Sequence, residues 1–164
     1  MKKLSIITLT MIALSGFMVT SVWAQNPHFL SCGASGVNPD GSLNVSFRIA
    51  GLGSNQSIDV TASAHADAVY ACKNGGQQCP NAANKVNVQA DVSATGAFPS
   101  TKNGSVTACL TVDPPPTTLT CPGGQKLVLV SVSYTNVSLS SDASADTCQT
   151  SPGTFAANFF PNCP

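Results

Sequence analysis

Ser63, His65 and Asp67 are the residue types of a nucleophile, a base and an acid, and they occupy alternate positions in one run, Ile58 to Cys72. A serine hydrolase needs three such groups joined in a relay of short hydrogen bonds. Alternate residues of a strand share a face but stand about 6.6 Å apart, too far for that relay. No Gly-x-Ser-x-Gly elbow is present to expose a nucleophile. The run therefore reads as a solvent-facing polar stripe. Asp59, Thr61, His65 and Asp67 are its outer-face ligand candidates, with a metal contact through Asp59, His65 and Asp67 as the alternative.

Other chemistries find less. Glycosidases need two placed carboxyl groups, and the seven acidic residues, all Asp, are scattered with no pair nominated. No Asp-x-Asp-x-Asp run offers a calcium loop. The cysteines contain no Cys-x-x-Cys pair and the two His are not clustered with them, which sets zinc aside. No catalytic residue, metal ligand set or cofactor is assigned. Sugar-binding faces usually present aromatics, yet Tyr70, Tyr134 and nearly all the Phe fall at inward positions, with Phe160 the outward one.

The elements that carry these residues alternate with period two, the signature of half-buried strands. Leu43, Val45, Phe47 and Ile49 alternate with Asn44, Ser46 and Arg48. Ile58, Val60, Ala62, Ala64, Ala66, Ala68 and Tyr70 alternate with the polar stripe; the alanines suggest a helix, but the apolar spacing is 2 and not 3.6. Val86, Val88, Ala90 and Val92 form a further row, as do Val106, Ala108, Leu110 and Val112. In Lys126 to Asn136 the inner side is Val128, Val130, Val132 and Tyr134; Val137 and Leu139 then switch parity, predicting a bulge. Phe155, Ala157 and Phe159 give the last strand, and a short one is expected near His28 to Ser31. Turn signals such as Pro39-Asp40-Gly41, Asn74-Gly75-Gly76 and Asn103-Gly104 separate them. About seven one-sided strands predict an all-β fold, an immunoglobulin-like antiparallel β-sandwich without the antibody Cys–Trp–Cys hallmark.

At 164 residues the chain is expected to hold one domain. Lys2 and Lys3 followed by apolar Leu4 to Val22 and the small-residue site Val22-Trp23-Ala24 read as a signal peptide, residues 1–24, in preference to a retained anchor. Residues 25–164 are then a single secreted β-sandwich domain, extracellular, or periplasmic in a Gram-negative host. No later run is long and apolar enough to span a membrane. Charged residues are only 9% of the chain, and the exported part carries a net charge of about −2, which excludes a cationic field for nucleic acid or an anionic membrane.

Cys32, Cys72, Cys79, Cys109, Cys121, Cys148 and Cys163 all lie in the exported part, where disulfides persist. Their odd number leaves at least one unpaired or intermolecular. If Ile58–Cys72 and Lys126–Leu139 pair as third and sixth strands, Cys72 ends one where Cys121 leads into the other. That favours Cys72–Cys121 over a local Cys72–Cys79 bridge. Cys109, on the outward side of its strand, is the candidate free thiol.

The segments Gly41 to Gly53, Ala94-Thr95-Gly96-Ala97-Phe98, Lys102 to Ala108, Cys121-Pro122-Gly123-Gly124-Gln125 and Gly153-Thr154-Phe155 carry a resemblance over nearly the whole exported chain. Together they resemble a group of short, uncharacterised secreted proteins of bacteria and some fungi. The resemblance implies export and a strand-and-turn pattern, and no activity or site residue.

Three functions remain. The first is a non-enzymatic secreted or cell-surface protein that binds a protein or glycan partner. The second is a fimbria-like structural subunit, opposed by the short stretch Gln25 to Ser31 ahead of Cys32, which cannot serve as a donor strand. The third is a secreted hydrolase, whose activity would depend on Asp67. The first is adopted.

Overall fold

The computed structural model describes residues 26–75 and 84–160. They form eight strands: β1 His28–Val37, β2 Leu43–Ala50, β3 Ser57–Lys73, β4 Lys85–Pro99, β5 Val106–Val112, β6 Lys126–Ser141, β7 Ser144–Gln149 and β8 Thr154–Asn158. All pairings are antiparallel, and the strands build two sheets. One is three-stranded, in the order β1-β2-β5; the other is five-stranded, in the order β4-β3-β6-β7 with β8 also on β6. The expected residues 1–24 signal peptide lies outside the described residues, as do Cys79 and Cys163. Among the described residues no helix is long and apolar enough to cross a membrane.

Alternation in sequence becomes the two faces of each sheet. Leu43, Val45, Phe47 and Ile49 of β2 are buried against Ile58, Val60, Ala62, Ala64, Ala66 and Ala68 of β3 and Val132 and Tyr134 of β6, in one continuous core. The alanines make a shallow floor on which larger side chains from the facing sheet rest. At its edge the rings of Phe47 and Phe98 meet edge to face, centroids 5.2 Å apart. The third and sixth strands pair as supposed for the sandwich, from Val60 opposite Ser141 to Lys73 opposite Lys126. Between Ser63 opposite Ser138 and His65 opposite Thr135 the register slips, so Asn136 and Val137 stand against Ala64 alone. Asn136 takes φ 56° there, and the extra residue switches parity so that Val137 and Leu139 turn inward.

Three expectations are corrected. The strand count is eight and not about seven, because β7, Ser-Ala-Asp-Thr-Cys-Gln, lies at an edge with no face to bury and shows no alternation. The first strand is not confined to His28–Ser31. It runs ten residues, and register shifts between Phe29 and Ser31 and between Ala34 and Val37 break its period. The apolar row of β4 is not fully buried: Val86, Val88, Ala90 and Val92 are half-buried, although β5 of the smaller sheet reaches the strand, with Leu110 beside Gly96.

Disulfides join Cys72 to Cys121 and Cys32 to Cys148. The first ties the end of β3 to the segment that enters β6. The second ties β1 of one sheet to β7 of the other, across the side of the sandwich where those two edges meet. Two such bridges are the chemistry of an oxidising, non-cytoplasmic compartment. Cys109, on the outward side of β5 opposite Ser46, is exposed and carries a free thiol.

Two local contacts carry measurable consequences. Gly104 adopts φ 67°, and a Cβ there would stand 2.9 Å from the Gly53 backbone nitrogen. The Gly104 carbonyl also accepts the Leu52 N–H at 3.0 Å, so that approach is held in place. Gly104→Ala is expected to destabilise the domain by about 2 kcal/mol, from the left-handed backbone and the crowding together. A fall of several degrees in the thermal midpoint would register it. The Tyr70 hydroxyl donates to the Pro115 carbonyl at 2.7 Å, and burial raises its pKa above the ordinary value of 10.0. Its contribution is whole below pH 10.0 and is lost as pH rises through the folded value. Urea midpoints are therefore expected to fall as the pH rises past 10.0, and Tyr70→Phe to make that fall shallower.

Candidate functional site

Among the described residues, no layer of secondary structure covers the outer face of the five-stranded sheet. On β3, Asp59, Thr61, Ser63, His65 and Asp67 point outward, while every intervening residue from Ile58 to Ala68 is buried. The strand thus fixes the backbone of each candidate from behind. On β4 the outward row is Asn87, Gln89, Asp91, Ser93 and Thr95, all exposed. The β3–β4 ladder runs without a break, setting Thr61 opposite Thr95, Ser63 opposite Ser93, His65 opposite Asp91 and Asp67 opposite Gln89.

Side chains join across this ladder. Thr61 Oγ1 and Thr95 Oγ1 are 2.8 Å apart. His65 Nδ1 donates to Asp91 Oδ1 at 2.8 Å, and Gln89 Nε2 donates to Asp67 Oδ2 at 2.8 Å. On the other flank, Thr135 Oγ1 donates to the His65 carbonyl at 3.4 Å. His65 is thereby held with Nδ1 engaged. Both partners are open to water, with side-chain exposures of 47% for His65 and 91% for Asp91, so the pair adds little stability.

Ser63, His65 and Asp67 share a face, as their spacing requires, but they do not form a relay. His65 turns to Asp91 and Asp67 to Gln89. Asp59 stands apart: its backbone N–H donates to Asp142 Oδ1 at 2.9 Å, at the turn into β7. Six residues of extended chain separate Asp59 from His65, about 20 Å. The metal contact through Asp59, His65 and Asp67 is therefore not assembled, and among the described residues no three His, Cys, Asp or Glu are grouped to hold an ion.

Compared with known proteins, the chain matches no family model, no curated protein and no solved structure.

The surface itself has two shallow depressions. One, of about 390 Å³, is lined by Ser63, His65, Asp91, Ser93 and the bulge residue Asn136. The other, of about 560 Å³, is lined by Asp67, Asn87, Ser131, Ser133 and Asn158 among others. Ala64 and Val92 also line the first and Val69, Val132, Ala156 and Ala157 the second, so each combines a mostly apolar surface with hydroxyls, amides and carboxylates able to donate and accept. Openness on this scale suits a ligand that lies along the sheet. The bulge matters here, because it lifts Asn136 out of the β6 pleat to the rim of the first depression.

Asp91, Gln89, Ser93, Thr95 and Asn136 escaped the reading of the sequence. The polar row Asn87, Gln89, Asp91 is visible in it as the other side of an alternating strand. Its register against β3 is not, because residues 74–84 separate the two strands and no short turn fixes the pairing.

Proposed function

We propose that this chain is an exported, immunoglobulin-like β-sandwich that binds a protein or glycan partner, without catalysis, through the outer face of β4, β3 and β6. The observation that carries the reading is the cross-strand ladder Thr61–Thr95, His65–Asp91, Asp67–Gln89, exposed yet fixed from behind by a buried row. The strand orders β1-β2-β5 and β4-β3-β6-β7 support the immunoglobulin-like part, since they correspond to the A-B-E and C′-C-F-G sheets of such sandwiches. The bridges support export, with residues 1–24 removed as a signal peptide. Membership of the group of short secreted proteins belongs to the same proposal.

The test uses purified protein on glycan and extracellular-protein arrays, alongside Asp67→Ala, Gln89→Ala and, on the opposite sheet, Thr107→Ala. Binding lost in the first two and kept in the third supports the reading. A ligand bound equally by all three, or no ligand on either array, overturns it.

A further inference from the structure

The five-stranded sheet ends at β4, and β4 is an unusual edge. Among the described residues it pairs with β3 alone, so one side of its backbone has no strand partner. Edge strands are normally kept from pairing by shortness, by bulges, or by Pro and charge in the middle. The far side of the same sheet follows that rule, ending in β7 and β8 of six and five residues. In the three-stranded sheet, β1 is interrupted by two register shifts. Fifteen-residue β4 has none of these protections: its register with β3 is unbroken, its proline stands at the last position, and Asp91 is the one charge between its ends. Its inward row, including Val86, Val88, Val92 and Phe98, is also left half-buried.

We infer that β4 is a docking edge for a second copy of this chain, pairing antiparallel with its own counterpart. Faces match only when residues of equal parity are opposed. A two-fold axis through Val92 then pairs Val86 through Phe98 with their counterparts. It sets Asp91 opposite Ser93, Gln89 opposite Thr95, and the half-buried rows beside each other. An axis through Asp91 would set two carboxylates face to face. The axis through Val92 keeps the carboxylates apart and uses the greatest length of strand, which favours it over the other registers of equal parity. The joined sheets make one continuous outer face that carries two His65–Asp91 pairs. This inference stands on the edge alone and does not depend on what that face binds.

Sedimentation equilibrium of the oxidised protein tests it, with Ser93→Asp and Ser93→Lys as charge probes. By symmetry each substitution acts twice, against Asp91 of the other copy. Ser93→Asp is expected to weaken dimerisation about tenfold and Ser93→Lys to tighten it, from the usual size of cross-strand charge pairs. Ser93 is exposed, and thermal unfolding of each variant verifies the fold. A monomer at millimolar concentration overturns the inference. So does a dimer indifferent to both substitutions, which would place the interface elsewhere.

Discussion

Reduction of Cys72–Cys121 and Cys32–Cys148 is expected to unfold the domain under conditions where the oxidised protein is native. The bridges span 49 and 116 residues. In the chain-entropy model, loops of that size are worth about 4 and about 5 kcal/mol respectively. Domains of this size have a total stability of roughly 5–15 kcal/mol, so losing both removes most or all of it. The two are not equivalent in place. Cys72–Cys121 joins segments that converge where β3 and β6 already pair. Cys32–Cys148 joins an edge strand of one sheet to an edge strand of the other, and among the described residues no backbone ladder ties those edges. The pair Cys32→Ser/Cys148→Ser is therefore expected to lower the denaturant midpoint more than Cys72→Ser/Cys121→Ser. Circular dichroism in urea, with thiols titrated to confirm full reduction, checks both statements. A reduced protein with an unchanged midpoint would show that the sandwich stands on packing alone.

The second large effect centres on Tyr134. Its side chain is fully buried in the core, and its hydroxyl donates to the Gly41 carbonyl at 2.7 Å, with the Val112 carbonyl at 3.4 Å. Tyr134 belongs to β6 in the larger sheet; Gly41 lies in the turn that leads into β2, and Val112 closes β5, in the smaller one. One hydroxyl thus bridges the layers. Its acceptor is rigid: the Gly41 N–H donates to Asn38, and Asp40 accepts both the Ser42 N–H at 2.9 Å and the Ser42 hydroxyl at 2.7 Å. Tyr134→Phe keeps the ring and leaves a buried carbonyl short of its donor, at a cost of about 1–2 kcal/mol. Tyr134→Ala also empties the ring volume, and about 3–5 kcal/mol is expected. Urea unfolding of the two variants separates the hydrogen bond from the packing. Equal stability of Tyr134→Phe and the parent would remove the inter-layer bond from the account.

Strands that face a core on one side were plain in the sequence. Leu43 to Ile49 and Ile58 to Ala68 alternate because each second residue must leave water, and the parity switch at Val137 and Leu139 marks the bulge for the same reason. The pairing of the third and sixth strands was a supposition about strand order in a two-sheet sandwich, and the ladder from Val60 to Lys73 bears it out. β7 was hidden because a strand at an edge, exposed on both faces, obeys no alternation. β1 was shortened because its two slips break the period. The candidate site was half legible. Thr61, His65 and Asp67 lie on a strand whose outward side is evident, whereas their partners Thr95, Asp91 and Gln89 depend on a hairpin register that no local residue encodes. Side chains are placed by their own strand, but their neighbours are placed by the next one.

The alanine floor of β3 has a thermal consequence. Ala62, Ala64, Ala66 and Ala68 are buried completely or nearly so, yet each removes only a methyl group from water. The heat capacity gained on unfolding scales with the apolar area that becomes hydrated. A central strand lined with methyl groups contributes little of it. To that extent the strand flattens the stability curve, while Leu43, Phe47, Ile49 and Tyr134 supply most of the curvature that remains. The domain's resistance is expected to change less between cold and warm surroundings than that of a domain with a leucine-filled core of the same length.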